Sequence, residues 1–355
     1  MIISRTPFRI SFFGGGTNYP AWYRQHGGAV LATTIDKYCY LTCRYLPPFF
    51  EHRIRVVYSK IEDCQSINEI AHPSVREILR YLQMEQGVEI HHDGDLPARS
   101  GMGSSSSFTV GLLHALYALQ GKMPNKQQLA KESINIEQKI LKETVGCQDQ
   151  VLAAYGGLNH VNFLANDEFS VRPITLTQER IQELNSHLML FYSGIKRTAS
   201  DIAQSYANDL DTKKRQLRIL KDLVEESIGI LNSGQDLTAF GELLHEAWQA
   251  KRSLSNNVSN PEIDGLYEVA RNSGAVGGKI TGAGGGGFLL LFVPPEKHLE
   301  IREKLNKLIY VPFKFEFAGS QIIFCEPQQE DYSALDKYRL SQEVEAFRES
   351  THSSS

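Results

Sequence analysis

Three glycine-rich blocks, set far apart along 355 residues, constrain this chain more than any other feature. The first runs Pro7-Phe8-Arg9-Ile10-Ser11-Phe12-Phe13-Gly14-Gly15-Gly16-Thr17. The second is Asp95-Leu96-Pro97-Ala98-Arg99-Ser100-Gly101-Met102-Gly103-Ser104-Ser105-Ser106-Ser107, and the third is Lys279-Ile280-Thr281-Gly282-Ala283-Gly284-Gly285-Gly286-Gly287-Phe288. Any one alone could be a flexible loop. Glycine weakens packing, so a run of it between apolar segments marks a place where backbone must turn sharply or approach another group closely.

With 41% hydrophobic and 22% charged residues, the composition is that of a soluble globular protein, long enough for two domains and a sizeable core. A net charge of −4 sets up no field that would attract nucleic acid or an anionic membrane. An anionic substrate would need a local basic patch. No run of about 18 apolar residues is present to span a bilayer. Arg5 and Arg9 interrupt the first apolar segment and argue against a signal peptide. The cysteines (Cys39, Cys43, Cys64, Cys147, Cys325) are odd in number, and Cys39 and Cys43 lack a second pair or a nearby His to complete a zinc site. Reduced thiols in a cytoplasmic protein are expected.

The apolar pattern predicts strands at 2–12 (broken at Pro7), 38–45, 53–58 and 88–92, and helices at 74–84, 104–119 and 127–143, with a fourth starting at Gly146. A hairpin is expected at 158–163 and 169–174, then an apolar strand at 187–192. Long helices at roughly 198–232, 236–252 and 261–272 follow. Strands at 276–280 and 288–293 flank the third block. A helix at 297–308 and strands at 310–317 and 320–325 are expected to complete the C-terminal half. The division expected is 1–190, 191–340 and a frayed tail at 341–355.

The second block carries the clearest chemistry. Its glycines curl the backbone just before a helix, whose unpaired N–H groups suit an anion. Its serines add donors and a hydroxyl oxygen for a hard cation such as Mg²⁺. A serine-rich helix cap would look the same in isolation. The block is neither G-x-x-x-x-G-K-[ST] nor G-x-G-x-x-G, because Ser106 stands where the third glycine would be. Downstream, Glu137 and Asp149 are two carboxylates on neighbouring helices that can converge on one metal–phosphate site. Glu132 and Glu143 are alternatives for the metal ligand. Arg9, ahead of the first glycines, offers a permanent charge to a phosphoryl group. The pairs His245-Glu246 and His91-His92 lack partners at metal-ligand spacing. Tyr38, Tyr40 and Tyr45 have no basic stretch around them for nucleic acid.

In this order the three blocks resemble the signature motifs of the GHMP kinases (galacto-, homoserine, mevalonate and phosphomevalonate kinases), and the likeness spans most of the chain. It implies an α+β, two-domain GHMP kinase fold: an N-terminal ribosomal-protein-S5-domain-2-like domain with a left-handed β-α-β crossover, and a C-terminal ferredoxin-like domain. ATP and acceptor would meet between them. The likeness implies ATP as co-substrate, wrapped by Pro97, Ser100, Gly101, Met102, Gly103, Ser104, Ser105, Ser106 and Ser107, and Mg²⁺ on Ser105 and Glu137. It further implies Asp149 as the catalytic carboxylate with Arg9 as its cationic partner. Gly15, Gly16, Thr17, Asn18 and Asp149 would line the acceptor, with Gly284 and Gly285 bordering it. Asn18 stands where the family's sugar kinases usually carry Asp, so an amide replaces a charge.

The strings Arg9–Thr17, Ile35-Asp36-Lys37-Tyr38, Tyr192–Arg197 and Ala247-Trp248-Gln249-Ala250-Lys251-Arg252 resemble the branch that phosphorylates C1 of D-glycero-α-D-manno-heptose 7-phosphate, toward a GDP-activated heptose. That acceptor needs cations for its far phosphate, and Arg99, Lys196, Arg197, Lys251 and Arg252 are the candidates, Arg197 and Lys251 foremost. The alternatives are a C1 kinase of an unphosphorylated sugar such as fucose, and a non-catalytic sugar sensor of the same family. The expected partners are a sugar phosphate and ATP, with no nucleic acid and no membrane; a homodimer is compatible with the sequence.

Overall fold

The structure, a computed structural model, describes residues 1–195 and 210–326, with isolated residues 332, 334, 335 and 338 beyond them. The N-terminal half is organised on two long strands, β1 (Ile2–Phe13) and β2 (Gly28–Tyr45), joined through the first glycine block and helix α1 (Pro20–His26). They pair antiparallel from Ile2↔Cys43 to Phe13↔Leu31. Pro7 does not end β1. The register shifts between Pro7 and Phe8 instead, a bulge that accommodates the missing N–H.

Strands β3 (Ile54–Val57), β4 (Ile61–Cys64) and β5 (Val88–Gly94) extend this sheet, with helix α2 (Pro73–Tyr81) before β5. The β3–β5 pair is parallel; the other pairings are antiparallel. Helices α3 (Ser104–Leu119), α4 (Lys126–Asn135) and α5 (Gln148–Tyr155) precede strands β6 (Asn159–Phe163) and β7 (Phe169–Pro173), and helix α6 (Gln178–Ser186) leads out of the sheet. Helix α3 lies close on β1 because position 111 is glycine: a Cβ there would stand 2.8 Å from Thr6 Oγ1. The Ser4 hydroxyl donates to the Gly111 carbonyl at 2.9 Å. This close approach sets the start of α3 beside Arg9.

The second sheet holds β8 (Leu188–Tyr192), β9 (Gly277–Ile280), β10 (Phe288–Phe292) and β11 (Ile309–Tyr310) in the spatial order β11-β8-β10-β9. That order is fourth-first-third-second along the chain and antiparallel throughout, the ferredoxin-like arrangement. Helices α7 (Lys214–Asn232), α8 (Thr238–Arg252) and α9 (Pro261–Asn272) connect β8 to β9, and α10 (His298–Lys304) precedes β11. The helix expected from 198 begins outside the described residues, as does the tail at 341–355. Among the described residues no helix is long and apolar enough to cross a membrane.

One expectation about the last strands needs correcting. Strands β12 (Phe315–Glu316) and β13 (Gln321–Cys325) do not complete the C-terminal half; β12 pairs with β2 and β13 with β1. The physical reason is the free edge of β1, whose unpaired backbone groups β13 satisfies from Ile2↔Cys325 to Arg5↔Gln321. The divide expected between 190 and 191 falls inside β8. The two halves meet along the end of β1, where Phe12 and Phe13 pack edge-on against Phe240 of α8 at 5.6 and 5.1 Å. The strand that carries Arg9 therefore forms the seam between the sheets.

Candidate functional site

Arg9 is buried in β1, 3% exposed, and reaches Asp149 in the first turn of α5. Its Nε donates to Asp149 Oδ1 at 2.8 Å and its Nη2 to Oδ2 at 2.6 Å, a bidentate fork. The third guanidinium nitrogen donates to the Gly101 carbonyl at 2.6 Å. The side chain passes Gly103, where a Cβ would stand 3.2 Å from Arg9 Cγ. Gly103 also has φ 78°, so glycine there serves both the turn into α3 and the passage of Arg9. The first and second blocks are thus joined through one guanidinium, and Asp149 keeps 24% of its side chain open.

Within the serine-rich loop the hydroxyls divide their work. Ser100 donates to Pro97 O at 2.6 Å and closes the turn; Ser107 donates to Pro7 O at 2.9 Å and ties α3 to β1. Arg99, at φ 59°, gives its N–H to Ser104 Oγ. Ser105 is exposed, whereas Ser106 is buried and donates to Glu137 Oε2 at 3.0 Å. Gln150, just after Asp149, donates to the same oxygen at 2.6 Å. The helix expected to run unbroken to 143 changes instead to a π-helical turn at Ile136–Ile140, and Glu137 stands in it, fully buried. Such a turn re-aims one side chain and is frequent at functional positions. Glu137 Oε1 has no partner. Burial, and after it the charge of Glu143, push the Glu137 carboxyl up to about 8, while Gln150 and Ser106, donating to Oε2, and the nearby Thr109 hydroxyl pull it down.

The third block leans on the second. A Cβ on Gly101 would stand 2.7 Å from Thr281 O, and one on Gly282 would stand 2.6 Å from Gly101 Cα. Two lysines come with it. Lys251, at the end of α8, is 4% exposed and donates to Gly282 O; Lys279, on β9, is 3% exposed and donates to Phe12 O at 2.9 Å. Lys251 is one of the cations expected for a distant phosphate. It is instead buried, within electrostatic reach of both Arg9 and Asp149. Its neighbour Arg252 is spent on Asp264 at 2.7 Å. Lys279 carries no signal in the sequence beyond its block, because a lone lysine in a strand reveals nothing until its burial is known.

The acceptor residues expected in the first block separate. Gly15 has open space where a side chain would be, with only Ser11 Oγ near at 3.9 Å. Gly16 packs on Leu217 of α7. Thr17 is fully buried; the one proton of its hydroxyl is shared between Gly14 O and Ala29 O at 2.8 and 2.9 Å, and its oxygen accepts from Ala29 N, so the turn itself occupies the hydroxyl expected at the acceptor. Asn18 accepts from Gly16 N at 3.1 Å, and its carbonyl accepts from Cys147 N at 3.0 Å. Its amide lies against Gly146, where a Cβ would overlap it. Gly284 and Gly285 pack on Val258, whose carbonyl accepts from Gly285 N at 2.8 Å. Lys196 and Arg197 lie outside the described residues.

Asn18 therefore ties the first block to the segment that starts α5. Gly146→Ala is expected to displace the amide and shift Asp149, at a stability cost of about 1–3 kcal/mol for overpacking. The loss of kcat should be partly restored in Gly146→Ala/Asn18→Ala, which makes room. Steady-state rates and thermal midpoints of the four proteins in the cycle check this; additive effects would disconnect Asn18 from Gly146.

The fold and the site define a known class. The family profile described as the GHMP kinases N terminal domain matches residues 69–157, and that described as GHMP kinases C terminal matches 206–311. The chain belongs to the GHMP kinases and is an ATP-dependent phosphotransferase with their two-domain fold. Among curated proteins it is 27% identical over 317 residues to the D-glycero-alpha-D-manno-heptose 7-phosphate kinase of Campylobacter jejuni, covering 86% of this chain and 93% of that one. It is 23% identical over 354 residues to the L-fucokinase/L-fucose-1-P guanylyltransferase of Bacteroides fragilis, covering 86% of this chain and 36% of that one. A crystal structure described as a D-glycero-D-manno-heptose 1-phosphate kinase from Bacteriodes thetaiotaomicron superposes with a TM-score of 0.75 at 24% identity, covering 92% of this chain and 100% of that chain.

Proposed function

We propose that this protein is a cytoplasmic sugar kinase that transfers the terminal phosphoryl of ATP to the anomeric C1 hydroxyl of D-glycero-α-D-manno-heptose 7-phosphate, giving the 1,7-bisphosphate for later nucleotide activation. The observation that carries the chemistry is the bidentate Arg9–Asp149 pair at the foot of the serine-rich loop, on the seam between the two sheets. The acceptor is supported by the likeness to the Campylobacter jejuni enzyme over most of both chains.

Each Asp149 oxygen spends one lone pair on Arg9 and keeps another for the acceptor hydroxyl. Asp149 orients that hydroxyl and receives its proton as the O–P bond forms; Arg9 fixes the carboxylate and supplies charge beside the reacting oxygens. Transfer is direct, in line and without a phosphoenzyme. The serine-rich loop and the start of α3 hold the phosphates by backbone N–H groups. The residues present fit Mg²⁺: Glu137 Oε1 is a buried oxygen without a partner, and the Ser105 hydroxyl is exposed at the helix start. There Mg²⁺ would neutralise charge on the triphosphate.

The test is turnover on heptose 7-phosphate, free heptose and fucose, with phosphorus NMR of the product. A far phosphate held by two or three cations, at about 1.5–3 kcal/mol per charge-assisted bond, should favour the 7-phosphate by at least about 10²-fold in kcat/KM. Equal rates on free sugars would favour an acceptor of the fucose kind, as in the Bacteroides fragilis relative. No turnover on any sugar would favour a sensor.

A further inference from the structure

Three buried basic side chains, Arg9, Lys251 and Lys279, gather at this centre. Arg9 has Asp149, but among the described residues no ion pair joins Lys251 or Lys279 to a carboxylate. Each ammonium has three donors and one carbonyl, Gly282 O for Lys251 and Phe12 O for Lys279. A buried ammonium so short of partners is costly to keep charged. The placement is not incidental. Gly282 presses on Gly101, and the Gly101 carbonyl is the one that Arg9 caps. The guanidinium and the Lys251 ammonium therefore stand at the two sides of the contact between the second and third glycine blocks, and Lys279 follows from β9 below the same strand end.

We infer that Lys251, with Arg9 and Lys279, completes a buried cradle for a phosphoryl dianion. The inference rests on the kinase reading only in requiring a phosphoryl group to reach Asp149. The groups that face Lys251 are Arg9 on β1, Asp149 on α5, Lys279 on β9 and the Gly282 carbonyl. Burial first, then the charge of Arg9, pull Lys251 down to about 7, against the opposing pull of Asp149. Burial, Lys251 and Arg9 drive Lys279 well below the ordinary lysine range. A dianion opposes the repulsion among these cations and raises the affinity of Lys251 for its proton. The sign follows: above about 7 the free enzyme lacks that proton and must take it from solvent on binding.

Titration calorimetry in pairs of buffers with different ionisation enthalpies counts the proton. The probes are a non-hydrolysable ATP analogue with Mg²⁺ and, separately, D-glycero-D-manno-heptose 7-phosphate. At about pH 8, uptake approaching about one proton is expected with whichever ligand faces Lys251. The nucleotide arm would assign the phosphoryl in transfer, and the sugar-phosphate arm the phosphate of the acceptor. Lys251→Arg, always charged, should bind within about tenfold of wild type, take up no such proton, and lose the fall of kcat/KM above about pH 7. Lys251→Met should bind more than about tenfold more weakly, without the uptake. Equal uptake by wild type and Lys251→Met with both ligands would overturn the inference. Uptake with the nucleotide but no turnover of the heptose phosphate would uphold it while refuting the proposed acceptor.

Discussion

Asp149→Asn is expected to bind nucleotide and to lose about 10²- to 10⁴-fold in kcat, the range of a positioned general base. The geometry makes the change specific. Arg9 spends Nε and Nη2 on the two carboxylate oxygens at 2.8 and 2.6 Å. An amide offers one oxygen and turns an NH₂ donor toward another donor, so one arm of the fork is lost and the negative charge goes with it. Breaking a buried pair from one side costs about 3–5 kcal/mol of stability, and the 24% exposure of Asp149 lowers that figure here. The thermal midpoint should therefore fall modestly while turnover collapses. Calorimetric affinity for the ATP analogue should stay within a few fold, because Asp149 is not part of the serine-rich loop. A variant with wild-type kcat would remove Asp149 from the reaction.

The parts of this site visible in the sequence were those encoded by short contiguous strings. The three glycine blocks and the two carboxylates stand out because each string demands a backbone conformation or a charge that few other contexts tolerate. What stayed hidden was set by burial. Thr17 sits in the first block like an acceptor contact, yet Gly14 O and Ala29 O consume its hydroxyl. Lys251 reads as a cation for a far phosphate until α8 is packed on the end of β1, which buries it. Glu137 was placed on a continuous helix, because nothing in Asn135–Ile140 announces a π turn. The same limit applies to the fold. Helix α3 was read to its ends, since its apolar residues repeat over sixteen positions. Helix α6 was missed, because its Leu184 is the single residue it buries. The first part of β2 was missed, since residues 28–35 are covered on both faces and show no alternation. That β12 returns to β2 and β13 to the free edge of β1 depends on strands near the other end of the chain, which no local pattern can report.

Gly287→Ala is expected to be the most damaging change outside the Arg9–Asp149 pair. Gly287 has φ 90°, and a Cβ there would overlap the Ser100 carbonyl. The glycine cannot retreat. Its N–H donates to Ile195 O at 2.8 Å, and its carbonyl accepts from Ser193 N at 2.9 Å and Ser193 Oγ at 2.8 Å. The serine-rich loop must yield instead, and Ser100 carries Gly101 with it, the residue that Arg9 caps. A displacement of roughly an ångström at a positioning loop can cost about 10²-fold in rate. The expected result is a fall of that order in kcat, a raised KM for ATP, and about 1–3 kcal/mol of lost stability from overpacking, with further strain from the positive φ. Gly265→Ala in α9 is the control. A Cβ there meets nothing within 4 Å, so it should leave the kinetics unchanged and stabilise the helix by about 0.5–1 kcal/mol. If Gly287→Ala kept wild-type nucleotide affinity and turnover, the third block would be a structural hairpin only, and the contact between the glycine blocks would have no part in holding the phosphates.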